Sequence, residues 1–283
     1  MNRRAIWSSL FSVLILSGVV GAGELKTDSR TIALEGAKKL EIKCTFAAGR
    51  LYIEPAPIAE AAKIEAEYDP DRIDLEVDYR VRGESGQLTI ETDHHGRNVD
   101  TDDNELSLTI SDKWPTELRL NLGACKGDLE LGGVPLTLLD LEIGAASGSI
   151  SFSKPNPMRM RRFNIDVGAS SAKIFKIGNA NAERVKCSVG AASSVLDLTG
   201  EYHGETEVDI SVGVASADIV LPSNIPVRVE SDDSNWFSSV KFRKRDLKEV
   251  DDGVWESDNF ETAKDRLIVR VEVGMGSVKI AWE

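Results

Sequence analysis

Residues 141–150 read LEIGAASGSI, in which apolar and polar residues alternate up to Gly144 and resume after a run of small residues. Alternation of this kind is typical of a β-strand with one buried face. A glycine followed by alanine and serine is typical of a tight bend that carries no bulky side chain. The segment therefore predicts a strand, a bend and a second strand.

The same pattern recurs through the middle of the chain. Its copies occupy residues 118–131, 139–152, 163–176, 185–198 and 208–221. Aligned on Gly123, Gly144, Gly168, Gly190 and Gly213, they are spaced by 21, 24, 22 and 23 residues. Apolar residues stand one, three and five positions before each glycine and six positions after it. This periodicity indicates that one structural unit is repeated.

A unit of about 22 residues cannot bury its apolar face alone, so stacked copies must share one core. We therefore predict an all-β fold, a single-stranded, right-handed β-solenoid with rungs of about 22 residues. An ordinary β-sandwich and a β-propeller are the alternatives. A sandwich has no need of aligned glycines, and a propeller blade takes about 40 residues.

The flanks of the repeat resemble modified rungs. Alternating segments occur upstream at 40–53 and downstream at 227–242, and a clearer one at 267–280 bends through Gly274-Met275-Gly276. The ends of a solenoid are expected to diverge because they must protect exposed strand edges. No Pro/Ser-rich linker divides the chain. We expect one elongated domain over residues 30–283.

Residues 1–23 are set apart by their composition. Arg3 and Arg4 precede an apolar run that ends in small residues at 21–23. This order of charge, apolar run and small residues is typical of a secretory signal peptide. The alternative is an uncleaved N-terminal anchor, since the run is near the lower limit for crossing a bilayer. We expect the rest of the protein to be extracytoplasmic: periplasmic, on the outer surface or secreted.

Charge and cysteine content exclude several classes of function. The 34 Lys and Arg face 47 Asp and Glu, a formal net charge of −13, which argues against a nucleic-acid partner. Alternation places Cys44 and Cys187 on inward-facing positions and Cys125 in a bend. Cys125 and Cys187 would be three rungs apart, too far for a disulfide, whereas Cys44 and Cys125 are less constrained. With 3 His and 3 Cys, no cofactor is expected.

Residues 141–150 and 258–280, the latter closing on VGMGSV, resemble the toastrack domains. The resemblance covers roughly residues 40–283 and implies a bacterial, adhesin-type β-solenoid at or outside the cell membrane, of a family with no established enzymatic chemistry. The family includes the C-terminal domain of LiaF-type cell-wall-antibiotic response proteins, which implies a role in envelope-stress signalling as an alternative. LiaF-type members carry several membrane helices, whereas this chain has only the signal-like segment.

Two places could carry chemistry. The acidic segment between Asp93 and Glu105 contains His94 and His95. Within it, Asp100-x-Asp102-x-Asn104 matches the start of a calcium loop, but Glu105 stands where the loop needs glycine and Ser111 where it needs the final glutamate. It predicts a solvated hairpin loop, with weak divalent-ion binding as a hypothesis and no specific metal site. Glu142 and Asp166 would lie about 5 Å apart on successive rungs, close to the separation of the two carboxyl groups in a retaining glycosidase. Because the repeats offer no aromatic platform, polysaccharide cleavage is the weaker alternative, and we expect no enzyme activity.

Two basic clusters interrupt the acidic surface, the second beside two aromatic residues. The candidate partner-contact residues are Arg159, Arg161, Arg162, Lys241, Arg243, Lys244, Arg245, Trp236 and Phe237. Solubility and protection of strand edges are the common roles of such clusters. Contact with a protein, an anionic envelope polymer or lipid head groups is the alternative. We expect a non-enzymatic interaction or adhesion-type module of the bacterial cell envelope, with a protein or envelope-polymer partner and possible peripheral membrane contact.

Overall fold

The fold is seen in a computed structural model. It describes residues 25–95, 104–145, 147–191, 193–231, 239–242 and 247–283, and for 239–242 only the backbone. Within these ranges the chain forms 21 β-strands and two short 3₁₀ helices, Ile177–Ala180 and Phe260–Thr262. None of the described segments is a helix of the length and apolarity needed to cross a membrane. The all-β prediction is confirmed.

The strands are numbered along the chain. They are β1 Lys26–Ile32, β2 Lys39–Ala56, β3 Ala62–Tyr68, β4 Ile73–Arg82, β5 Ser85–His94, β6 Glu105–Ser111, β7 Thr116–Glu130, β8 Leu136–Ile143, β9 Ser147–Ser151, β10 Arg162–Val167, β11 Ser171–Phe175, β12 Arg184–Val189, β13 Ser193–Asp197, β14 Glu205–Val212, β15 Ser216–Leu221, β16 Val227–Ser231, β17 Ser239–Phe242, β18 Leu247–Asp251, β19 Val254–Ser257, β20 Arg266–Val273 and β21 Ser277–Trp282.

Each predicted repeat is one rung of a solenoid. Strand β7 is the rung of the first repeat, and β8/β9, β10/β11, β12/β13 and β14/β15 are the rungs of the other four. The rungs are parallel and in the register expected from the aligned glycines: Leu139 pairs with Phe163, Phe163 with Val185 and Val185 with Val208. The inward-facing residues of every rung are buried in one continuous core. The solenoid prediction is therefore confirmed.

The rungs form two sheets that meet at the bends. The first sheet runs β4-β5-β2-β7-β8-β10-β12-β14-β20-β16-β19-β18. The second runs β1-β3-β6-β2-β7-β9-β11-β13-β15-β21-β17. The long strands β2 and β7 pass round the bend and belong to both sheets.

The order of rungs in space departs from their order in the sequence at both ends. Strand β2 lies between β5/β6 and β7. Likewise β20/β21 lies between β14/β15 and β16/β17. These are the first and last rungs in sequence order, but in space each lies one position inside the end of the stack. Because each is paired on both sides, neither exposes a strand edge there.

Glycine occupies the aligned bend position of each repeat because the bends stack closely. A Cβ at Gly168 would lie 3.1 Å from the carbonyl oxygen of Gly144, and one at Gly123 only 2.3 Å from that of Ala47. None of the aligned glycines has a positive φ. The requirement for glycine at these positions therefore comes from the neighbouring rung and not from a left-handed backbone conformation. The Gly168 N–H donates to the Ile143 carbonyl at 2.8 Å, so the backbone ladder continues through the bend.

Buried asparagines hold the opposite edge, where loops join successive rungs. Asn156 Nδ2 donates to the carbonyls of Leu136 at 2.8 Å and Ala180 at 3.1 Å. Asn179 Nδ2 donates to the Phe152 carbonyl at 2.8 Å. These amides supply hydrogen-bond donors to carbonyls of the connecting segments and of the first residue of β8.

The three cysteines are free thiols and all are buried, as their placement on inward-facing and bend positions predicts. Cys125 lies where β7 bends, opposite Gly49 of β2. Burial raises the pKa of the Cys44 and Cys187 thiols to about 12 and that of Cys125 to about 11. The thiols are therefore protonated at neutral pH, in the form that forms disulfides slowly.

Candidate interaction surface

The outer face of the first sheet carries polar side chains in register. Alternation sends every second residue of each strand outward, so equivalent positions of successive rungs form columns that run across the strands. One such column contains Asn121, Glu142, Asp166, Ser188 and Ser211. We refer to the outward-facing side of the parallel strands β5, β2, β7, β8, β10, β12, β14, β20 and β16 as the first-sheet face.

A groove of about 370 Å³ lies on this face where it crosses β2, β7, β8 and β10. Its polar walls are formed by Lys43, Arg119, Asn121, Asp140, Glu142, Arg162, Asn164 and Asp166. Leu120 and Leu141 also line it. No aromatic residue is among the described residues that line the groove.

Asp140 is the centre of the charge arrangement in the groove. Asn164 Nδ2 donates to its carboxylate at 2.9 Å. Arg119 Nε lies 3.6 Å and Arg162 Nη2 3.3 Å from Asp140 Oδ2. Arg119 also contacts Glu117 at 3.0 Å. The side chains of three successive rungs are thereby linked to one another.

Glu142 and Asp166 occupy neighbouring rungs, as the repeat alignment predicts. They pair in register between β8 and β10. Asn121 Nδ2 donates to Glu142 Oε2 at 3.1 Å, and both carboxylate residues are exposed. Two solvated carboxylates beside an amide and hydroxyl column can accept hydrogen bonds from a ligand.

A similar charge arrangement lies at the C-terminal end of the first-sheet face. Arg270 contacts Glu230 at 3.0 Å and both Glu207 and Asp209 at 3.3 Å. Arg184 contacts the same Glu207 at 3.3 Å. Most of these charged side chains are therefore paired with an opposite charge on the next rung. The face as a whole is polar and close to neutral.

The first basic cluster does not form one patch. Arg159 lies at the loop edge, where its guanidinium donates to the Glu205 carbonyl at 2.6 Å and to Asn181 Oδ1 at 3.2 Å. It therefore braces neighbouring loops. Arg162 reaches the groove through Asp140, whereas Arg161 is exposed to solvent.

The second cluster is largely beyond the described residues. Lys241 belongs to strand β17, of which only the backbone is described. Trp236, Phe237, Arg243, Lys244 and Arg245 lie outside the described residues. Their assignment as contact residues stays a prediction.

The acidic segment near Asp93 is described only in part, since residues 96–103 lie outside the described ranges. His95 Nε2 lies 2.6 Å from Asp74 Oδ2, and this hydrogen bond raises the pKa of the imidazole. Where the chain is described, no three His, Cys, Asp or Glu side chains cluster as metal ligands would. Divalent binding by this segment stays a hypothesis.

The sequence matches one family model, and several solved structures of low sequence identity are similar to this chain. The family model of the N-terminal domain of toast_rack, DUF2154, matches residues 21–175. A candidate cell adhesion protein from Clostridium sporogenes is 17% identical, with a TM-score of 0.46 over 92% of this chain and 100% of that one. A candidate adhesin from Bacteroides fragilis is 11% identical, with a TM-score of 0.43 over 93% of this chain and 100% of that one. No curated protein matches the sequence.

Proposed function

The chain belongs to the toast_rack family, and we propose that it is a non-enzymatic binding module of interaction or adhesion type at the bacterial cell envelope. The observation that carries this proposal is the continuous first-sheet face with its polar groove. The partner would be a protein or an envelope polymer.

The size of the first-sheet face suits a macromolecular partner. Its nine parallel strands, at about 4.8 Å each, span about 40 Å, and five residues of each strand span about 17 Å. The resulting area of about 700 Å² approaches the roughly 800 Å² that each partner contributes to a standard protein interface. Every strand of the face is hydrogen-bonded to a neighbour on each side, with the antiparallel strands β4 and β19 beyond its two ends, so little ordering of the backbone is needed on binding.

The chemistry of the groove favours binding over catalysis. A retaining glycosidase needs one carboxyl group that stays protonated and a platform that distorts the sugar. Glu142 and Asp166 are both exposed, and none of the described residues beside them in the groove is aromatic. The acidic composition, with a formal charge of −13, would repel a nucleic acid.

Export is the second part of the proposal. The signal-like composition of residues 1–23 supports it, with retention as an N-terminal anchor as the alternative. The buried thiols also suit an oxidising compartment, because a protonated thiol inside the core is a poor disulfide-forming nucleophile. Cell fractionation tests this part, and recovery of the protein in the cytoplasm would contradict it.

Affinity capture from the envelope fraction tests the binding role. We expect the unmodified full chain to capture a partner. The double variant Arg119→Glu/Arg162→Glu should fail to capture it, since both changes reverse a charge in the groove. Asp218→Lys reverses a charge on an outward-facing, exposed residue of the second sheet and serves as the matched control. Equal capture by all three proteins would contradict the assignment of the groove as the contact site.

A further inference from the structure

A second cavity lies at the loop edge near the C-terminal end of the stack. It has a volume of about 490 Å³ and is formed by the loop after β15, the segment after β19 and the end of β21. This volume is within the range of small-molecule sites, roughly 300–1,000 Å³. None of its lining residues lines the first-sheet groove, so a ligand here does not depend on the proposed function.

One wall of this cleft is apolar. Trp282 is the last inward-facing residue of β21, and its partly buried side chain packs against the core while it borders the cleft. Ile225 and Pro226 also line the cleft, and both are half-buried. A partly exposed indole beside aliphatic groups offers a flat apolar surface to a ligand.

In the part of the chain that the structure describes, the other walls are polar and almost neutral. Ser223, Asn224 and Asn259 are exposed, and their side chains carry both hydrogen-bond donors and acceptors. Among the described residues that line the cleft, the charged one is Asp258, whose carboxylate pairs with Lys248 at 2.6 Å. A phosphate or carboxylate ligand would meet this carboxylate, and a fully apolar ligand would displace water from the exposed amides without replacing its hydrogen bonds.

The cleft is also held in place. Trp282 pairs in register with Leu221, and the Glu283 N–H donates to the Leu221 carbonyl at 3.2 Å. Ser257 Oγ accepts from the Val227 N–H at 3.0 Å and so ties the two segments that form the polar walls. A site fixed in this way loses little entropy when a ligand binds.

A ligand for this cleft needs one apolar face and several hydroxyl groups around its edge, with no net charge. A pyranose ring has this chemistry, because its axial C–H groups form an apolar face and its hydroxyls both donate and accept hydrogen bonds. We infer that the cleft binds a neutral oligosaccharide, with one sugar ring against Trp282 and its hydroxyls bonded to Asn224 and Asn259.

Calorimetric titration of the full chain tests this inference. The probes are maltotetraose, cellotetraose and chitotetraose, each titrated separately. We expect saturable binding of at least one probe, with a Kd of about 1 mM or lower. Trp282→Ala and Asn259→Ala should each weaken that binding by about tenfold or more.

Two further variants control for folding. Trp282→Phe keeps an aromatic ring in place and should retain binding within about threefold, a change of well under 1.4 kcal/mol. Lys279→Ala alters an exposed, outward-facing residue of the same strand and should bind as the unmodified chain does. The inference is overturned if no probe binds at concentrations up to about 10 mM, or if binding is unchanged in both Trp282→Ala and Asn259→Ala.

Discussion

Gly190 lies directly above the carbonyl oxygen of Gly168 in the preceding rung, and a Cβ at Gly190 would stand only 2.9 Å from that oxygen. The Gly190 N–H donates to the Val167 carbonyl at 2.8 Å, so the backbone cannot move away without breaking the ladder. The rungs can therefore stack this closely at the bend because residue 190 has no side chain.

Gly190→Ala should destabilise the protein by about 1–3 kcal/mol, the usual cost of forcing an extra methyl group into a packed region. The midpoint of urea unfolding measures it. Ala191→Ser, at the adjacent exposed bend position, should change the free energy of unfolding by less than about 0.5 kcal/mol. An unaltered midpoint for Gly190→Ala would show that the bends are not stacked in this way.

Asn156→Ala should cost about 2–4 kcal/mol, because it leaves buried carbonyls of Leu136 and Ala180 without their donor. Chemical denaturation provides the measurement. The exposed Asn121→Ala provides a control and should stay within about 0.5 kcal/mol of the unmodified chain. Equal effects of the two substitutions would contradict the role of the loop-edge amides.

The N-terminal end should lose stability in acid. Asp28 is buried, and it accepts from Arg30 Nε and Nη2, each at 2.9 Å, while Arg30 Nη1 donates to the Val77 carbonyl at 3.2 Å. The hydrogen bonds from Arg30 hold the pKa of the Asp28 carboxyl below its usual value of 3.8. Because this pKa is lower in the folded state, the stabilisation is complete above the unfolded value and is lost as pH falls through the folded one.

Asp28→Asn should therefore be less stable than the unmodified chain at neutral pH, and the difference should shrink as pH falls below about 4. Unfolding curves recorded across this pH range give the comparison. Asp112→Asn, which changes a carboxyl outside the strands, serves as the control. A stability difference for Asp28→Asn that does not vary with pH would refute the assignment of the ion pair.

The 3 cysteine thiols should resist alkylation in the native protein and react fully on unfolding. Burial and the raised pKa of each thiol both lower the concentration of reactive thiolate. Mass spectrometry after iodoacetamide treatment, with and without denaturant, counts the modified residues. Rapid modification of Cys44 or Cys187 under native conditions would contradict their place in the core.

The repeat could be predicted from the sequence because the pattern that defines each rung lies within one short segment of the chain. Alternation at residues such as Leu139 and Leu141 and the bend at Gly144 recur at nearly constant spacing, and one rung defines the next. The neighbouring positions of Glu142 and Asp166 followed from the same alignment. The insertion of β2 and β20/β21 inside the stack could not be predicted in this way, because rungs with the same apolar pattern are equally good neighbours.

The candidate sites were harder to predict than the fold. The Asn156 and Asn179 amides lie in loops of unequal length, so no column in the repeat reveals them. The groove depends on Arg119, Asp140 and Arg162 meeting across rungs, and charged residues on an outer face resemble any solvated surface in the sequence. The cleft at Trp282 joins three segments that are distant in the chain, and only the folded stack brings them together.

Photo-crosslinking in intact cells tests the proposed binding role most directly. A photoreactive phenylalanine derivative at Glu142, on the first-sheet face, should give a discrete crosslinked product. The same group at Lys279, on the outer face of the second sheet, should give none. Products of equal yield at both positions, or no product at Glu142, would contradict the conclusion that this face is where the protein meets its partner.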